Sequence, residues 1–484
     1  MNIYSKLSDN LSYLKKNLPS DDVNFISFNI KRKKCLLIFS KSMADKTAIG
    51  ELILKPLENF GKRLTCDNIF NSLPFPDKER KTDLSSVPDD VSAGKVVLIT
   101  DGLDEAFLFN VLKVEKRAIS EPPTSTVIKG PREGFVESLP VNIGLMRKRL
   151  KTKDLVVKNL TVGKYSKTLI SVVYVKGIAD GKLVKTLTDK INKINIDAIL
   201  DSSYVAKYLG EHRTSIFKQV GNTEKPDILT AKILEGRVAV FVDGSPIALT
   251  VPYLLIEDFQ SPSDYYSSPY SASFSRFIRL VSTLISVLLP AFFVSAELFH
   301  LQLIPLSFLL TIVNSIKGIP LSPSYEMFFT LIIFEILNET SVRMPRHVGM
   351  VVSIVGGLVL GETAVTAGII SAPTLMIIAL SGICLYTVPE LEQTFSILRL
   401  LFLIAGGSVG GYGIILLSSI MIIYFVSFEN FSTPLLAPFS PLVPKDLKDS
   451  FYKGFLPEFK NRPLSIRTAN RKRISKKNDK GESA

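Results

Sequence analysis

Glu362 is the single ionisable group in the apolar stretch 349–368. An acidic side chain at membrane depth is costly and faces a cavity, an ion path or a partner. At 100° per residue on a helix, Val355, Val359, Glu362 and Thr366 share one side, which makes them candidates to line a pore. Gly349, Ser353, Gly357 and Gly361 recur at every fourth residue on the opposite side, and Ala364 and Gly368 extend the stripe. A face of small residues lets helix backbones approach closely in lipid, so these are candidate packing positions. A second reading stays open for Glu362, a carboxylate that caps a helix break or snorkels to water near the interface. Glu335, Glu339, Arg343 and Arg346 form another constellation around Pro345. Acid and Arg there can pair to fix a helix turn or meet permeating ions, and interfacial Arg is also ordinary positive-inside charge.

No catalytic signature accompanies these groups. The chain has no GxxxxGK[ST], no strand-linked GxGxxG, no GxSxG and no HExxH, so neither an enzyme nor a cofactor is expected. Cys35, Cys66 and Cys384 are odd in number and widely spaced, which argues against a disulfide framework or a zinc knuckle. His212, His300 and His347 are equally scattered and read as structural. The formal net charge of +13 is accounted for by cytoplasmic flanks of membrane segments rather than by nucleic acid.

These residues must be positioned by elements of two kinds. A mean hydropathy of +0.27 over 484 residues is too apolar for an ordinary soluble protein. The second half carries the apolar runs 277–299, 349–370, 373–388 and 400–428, each near or above the roughly 20 residues that a span requires. The run 400–428 is glycine-rich and reads as a long tilted helix or a broken one. Two shorter runs, 301–316 and 325–337, bring the expected count to between four and six spans. The Tyr cluster at 265–270 suits the membrane interface.

The first half alternates β-branched runs with amphipathic stretches, as a soluble α/β region does. It also echoes itself. CLLIFSKSMADKTAIGELIL (35–54) and SVVYVKGIADGKLVKTLTDKI (171–191) each read as strand, Ala-Asp turn and helix. VVLITDGLDEAFLF (96–109) and VAVFVDGSPIALTV (238–251) each place Asp-Gly between two apolar strands, a turn signal because Gly tolerates positive φ. The expected fold is therefore an α/β soluble region of two related subdomains followed by an all-α polytopic membrane domain. Its divisions are an extension at 1–20, subdomains at 21–120 and 121–260, transmembrane helices at 275–430 and a basic tail at 431–484. The first 22 residues lack an uninterrupted apolar stretch and a cleavage site, and the tail is rich in Lys and Arg, so both ends are expected on the cytoplasmic side.

The run GPREGF at 130–135 is followed in order by LTVGKYSKT, YVKGIAD, IDAILDSSYV, LEGRVAVFVDGSP and FQSPSDYY. LLPAFFVSAELFHLQLIP and SVRMPRHVGMVVSIVGGLVLGETAVTAGIIS follow in the second half. Over about residues 20–445 this series resembles the A subunits of GerA-type spore germinant receptors. The resemblance implies a multi-pass protein of the spore inner membrane, working with a transporter-like B subunit and a lipoprotein C subunit. It also implies a homo-oligomer that forms a ligand-gated ion channel and triggers germination. The alternatives it leaves are a family paralogue associated with dipicolinate release, or a transporter or scaffold without its own pore.

Overall fold

The computed structural model describes residues 2–473 apart from 32, 62–63, 76, 113–129, 345–356 and 358–360. The first half contains two units with one order of elements. In the first unit, α1 (Leu7–Asn17) precedes β1 (Val23–Ile30) and β2 (Lys33–Ser40). Next comes helical structure from α2 (Lys46–Ile49) through a π turn to α3 (Lys55–Glu58), then α4 (Cys66–Ser72). After β3 (Lys78–Lys81) come α5 (Val87–Ser92), β4 (Lys95–Thr100) and β5 (Ala106–Asn110). The second unit runs α6 (Leu139–Arg149), β6 (Leu155–Val162), β7 (Thr168–Val175), α7 (Gly181–Asn192) and α8 (Ser202–Leu209). It continues with β8 (Gly221–Thr223), α9 (Pro226–Leu234), β9 (Val238–Val242) and β10 (Ala248–Val251). Each unit forms a five-stranded antiparallel sheet, ordered β1-β2-β4-β5-β3 in the first and β6-β7-β9-β10-β8 in the second.

Alternation along the strands explains the layers. In β2, Cys35, Leu37 and Phe39 face the core beneath α2–α4, while Leu36 and Ile38 face α1 and α5. Successive side chains point to opposite faces, so a strand apolar at every position is covered on both. The second sheet does the same, with Val172 and Val240 toward α7 and α8, and Val173 and Phe241 toward α6 and α9. The echoed phrases have a local cause in each unit. Asp45 accepts hydrogen bonds from the Thr47 and Ala48 amides, and Asp180 accepts one from Lys182, so each Ala-Asp caps the helix that follows it. Gly102 and Gly244, in the two Asp-Gly turns, have φ of +76° and +88°.

The units are joined by a buried ion pair. Arg147 on α6 donates from Nε to Asp22 Oδ2 at 2.5 Å and from Nη2 to Asp22 Oδ1 at 2.6 Å.

They differ in how one slot is filled. In the first unit the chain leaving β5 turns back beside Ala44, where the Asp45 amide donates to the Val111 carbonyl at 3.0 Å and Leu112 packs against Gly94. In the second unit the chain leaving β10 departs for the helices. The matching slot beside Ala179 is filled by Thr468, which packs against Gly236, and the Ala469 amide donates to the Ile178 carbonyl at 2.9 Å.

The helices begin with α10 (Pro269–Phe299), followed by α11 (Leu306–Ile316), α12 (Pro323–Arg343), α13 (Gly361–Thr366), α14 (Ala372–Leu385), α15 (Glu392–Val409) and α16 (Gly411–Ser427). Among the described residues α10 alone is long and apolar enough to cross a membrane. Ala372–Leu385 with Pro389–Val409 passes only as a pair, and it is bent by 108°. The sequence predicts four to six spans. The run 400–428 is divided at Gly410, whose φ of +69° ends one helix and starts the next. α15 packs closely on α10, and a Cβ at Gly406 would lie 2.8 Å from the Ala291 carbonyl oxygen. Residues 429–473, of which those from 431 are read from the sequence as part of a basic tail, fold back onto the second unit, beginning with the short pair β11 (Glu429–Asn430) and β12 (Thr433–Pro434) and placing Phe431 in its core.

Candidate functional site

Arg399 is the one cation of α15 and is fully buried. Its Nη2 donates to Glu335 Oε1 on α12 at 2.5 Å and its Nη1 to Ser381 Oγ on α14 at 2.9 Å. Ser381 Oγ in turn donates to the Ser286 carbonyl on α10 at 2.8 Å. One guanidinium thus ties four helices, and loss of Glu335 would leave its buried charge without a counter-ion. Two further polar ties hold α12 to the bent pair. Glu326 Oε1 accepts from both the amide and the hydroxyl of Ser371, each at 2.7 Å. Asn338 donates to Glu392 Oε1 at 2.8 Å and accepts from the Tyr386 hydroxyl at 2.5 Å.

The second unit meets these helices through residues 210–220, the connection between α8 and β8. The corresponding connection in the first unit, between α4 and β3, is residues 73–77, which is shorter. The added residues reach the bend and the end of α16. The Ser215 hydroxyl accepts from Tyr424 at 2.8 Å, and the Ile216 carbonyl accepts from Thr394 Oγ1 at 3.0 Å. Phe217 packs edge-on to Phe425 with ring centroids 4.6 Å apart. Lys218 donates to Asp258 at 3.2 Å and to Glu390 at 3.1 Å. Burial disfavours a charged Lys218, but these two carboxylates outweigh it and raise its pKa. Burial also pushes the Asp258 carboxyl up.

Beside this contact lies a cleft of about 590 Å³ between the second unit, the start of α10 and the returning chain. Arg237 pairs with Glu257, whose other oxygen lies 2.7 Å from Lys232 Nζ. Burial opposes ionisation of Glu257, yet Arg237 and Lys232 hold its pKa down at about 2. Arg276 bridges Asp264 at 3.1 Å and Asp449 at 3.0 Å, and Arg279 also pairs with Asp264 at 2.8 Å. The first turns of α10 are thereby fixed to both the turn that precedes the helix and the returning chain. Among the described residues no group of three or more His, Cys, Asp or Glu is placed to hold a metal ion.

The residues singled out by sequence are distributed differently. Glu362 and Thr366 lie on α13 and are exposed in the single chain, and the Thr366 hydroxyl donates to the Glu362 carbonyl. Val355 and Val359 lie outside the described residues, as do Gly349, Ser353 and Arg346. Gly361 is buried against Leu375, a Cβ at Gly357 would meet none of the described residues within 4 Å, and Gly368 follows the end of α13 with φ +66°. Glu335 turns to Arg399, whereas Glu339 and Arg343 pair with each other at 2.5 Å on an exposed face. Two of the described members, Glu339 and Arg343, thus pair as acid and Arg on one helix, and the third, Glu335, has its partner outside the constellation. Arg399 was not singled out from the sequence, although a lone Arg in an apolar helix is itself a signal. Lys218 carried none, because its partners are distant in the chain.

The model of the Bacillus/Clostridium GerA spore germination protein family matches residues 10–465. The chain is 33% identical over 461 residues to spore germination protein KA of Bacillus subtilis (strain 168), covering 93% of this chain and 85% of that one. It is also 33% identical over 480 residues to spore germination protein GerQA of Bacillus cereus, covering 98% and 95%. Among solved structures it is similar to the N-terminal domain of the A subunit of the Bacillus megaterium spore germinant receptor GerK3. The identity is 26%, the coverage is 53% of this chain and 98% of that one, and the TM-score is 0.40.

Proposed function

Because the chain belongs to the Bacillus/Clostridium GerA spore germination protein family, we propose that it is the A subunit of a nutrient germinant receptor. It resides as a multi-pass protein in the spore inner membrane with both termini on the cytoplasmic side. It acts with a transporter-like B subunit and a lipoprotein C subunit, and several copies form a ligand-gated ion channel whose opening starts germination. The supporting observation is that Glu362 and Thr366, on one helix, are exposed in the single chain. An acidic side chain in a membrane protein is least costly facing water or a partner, and a stripe of small residues suits close approach by another helix. In this reading Val355, Val359, Glu362 and Thr366 border the ion path. Gly349, Ser353, Gly357, Gly361 and Gly368 form the helix-packing face.

The test is made in spores and in reconstituted receptor. Val359→Ala is expected to cause spontaneous germination and Glu362→Gln to change cation conductance, both with assembly intact. Gly357→Leu is expected to leave the single chain folded and to block its association. Wild-type germination and conductance for both of the first two variants would overturn the channel reading.

A further inference from the structure

The exposed apolar side chains of α10 lie along one face. Tyr270, Phe274, Phe277, Leu284 and Phe292 are each more than half exposed, and their spacing follows helical periodicity. At the N-terminal end of the helix this face does not stop. It continues onto residues 451–456 of the returning chain, where Phe451, Tyr452, Phe455 and Leu456 are 41–73% exposed. The Phe455 ring stands edge-on to Tyr270 with centroids 6.0 Å apart, and the Lys453 amide donates to Ser273 Oγ at 2.9 Å.

The segment is held rather than loose. Lys453 Nζ donates to the Asp264 carbonyl at 2.8 Å, the Ser450 carbonyl accepts from Arg276 at 2.9 Å, and the Gly454 amide donates to the Lys448 carbonyl at 2.7 Å. Its polar groups are therefore directed inward, to the junction, while Phe455 stands beside Tyr270 of α10 and the half-exposed Phe451 stacks on Phe439 of the returning chain. Large apolar side chains gathered in one exposed patch mark an interaction surface.

Continuity with α10 identifies the partner. The helix has 31 residues, about 46 Å at 1.5 Å per residue, against a hydrocarbon core of about 30 Å. Its first turns consequently lie at headgroup level when the rest crosses the bilayer, which is where aromatic rings are favoured. We infer that residues 451–456 are an interfacial anchor, inserted into the headgroup layer of the bilayer beside the entry of α10. The inference rests on the reading of α10 as a membrane span.

The chain contains no Trp, so each single-Trp variant carries one indole reporter. Full-length Phe455→Trp, Leu456→Trp, Phe292→Trp and Tyr165→Trp are reconstituted in phosphatidylcholine–phosphatidylglycerol vesicles. Quenching is read with headgroup spin-labelled lipid, with deep acyl-chain spin-labelled lipid and with aqueous iodide. Phe455→Trp and Leu456→Trp are expected to lose about half or more of their emission to the headgroup label and little to iodide. Tyr165→Trp, on an exposed turn of the second unit, should respond to iodide alone. Quenching of both anchor variants by iodide but not by lipid overturns the inference in favour of open solvent. Protection from both quenchers overturns it in favour of a second copy or another protein. Failure of the deep label to quench Phe292→Trp would remove the span itself, a result distinct from quenching at Phe292→Trp without quenching at the anchor.

Discussion

The two α/β units share strand order, helix order and capping chemistry, yet the first is completed by its own next residues and the second by residues more than two hundred positions later. Leu112 and Thr468 occupy matching slots, one against Gly94 and the other against Gly236. The same position after that glycine is Lys95 in the first unit, paired with Glu79 at the surface, and Arg237 in the second, buried against Glu257. A duplicated fold has thus kept its sheet and changed its edges. At those edges the second unit contacts the helices and the returning chain. The lesson is that the communicating parts of this molecule lie in the connections, where the units differ, rather than in the sheets they share.

The comparison is broken most severely by ending the chain after α16. Loss of residues 428–484 removes Phe431 from the second core, on the order of 3–5 kcal/mol for that side chain alone, and empties the Thr468 slot. Hydrogen exchange is expected to accelerate at least tenfold across β6–β10 and to remain unchanged across β1–β5. Equal acceleration in both sheets would show that the units are not separately completed.

Next in size is the matched pair of cations. Arg237→Met leaves Glu257 buried with one partner fewer and should cost about 3–5 kcal/mol. Lys95→Met, at a partly exposed pair, should cost about 1 kcal/mol or less. Thermal unfolding of the two full-length variants measures the difference, and similar losses would refute it.

The pH dependence of Glu257 sharpens the same contrast. Its carboxyl sits at about 2 in the folded protein, against an ordinary 4.5. Its contribution is therefore complete above about 4.5 and is lost as pH falls through about 2. The gap corresponds to on the order of 3 kcal/mol. The cost of Glu257→Gln should accordingly be largest near pH 6 and shrink on acidification. Burial raises the Asp258 and Asp449 carboxyls, and their contributions run the opposite way. The difference between wild type and variant is for that reason the quantity to measure.

Effects smaller than that of Arg237→Met come from the two slot glycines. Gly94→Ala and Gly236→Ala should each cost about 1–3 kcal/mol, from a side chain at positive φ and from crowding of the occupant. In the shortened chain the cost of Gly236→Ala should fall, since Thr468 is absent, while that of Gly94→Ala should not. Equal behaviour of the two would mean that backbone strain alone sets the cost.

What was legible in the sequence follows from range. Asp45, Asp180 and the two Asp-Gly turns act on residues adjacent in the chain, so their chemistry can be read where it stands. The continuous apolar run of β2 likewise announces a strand covered on both faces. The filling of the second slot by Thr468, the tie from Arg399 to Glu335 and the contacts of Lys218 join distant segments, and no local pattern encodes them. Hydropathy located the apolar runs but not the 108° bend between α14 and the segment that follows it, because composition records what a helix is made of and not where it turns.

The returning chain also fixes an order of manufacture. Translation delivers the sheet of the second unit first, then every helix, and only afterwards Phe431 and Thr468. During synthesis that unit waits with an open seam while the helices emerge and settle. Closure of the second unit therefore comes after the helical region has been made, because Phe431 and Thr468 lie beyond it in the chain.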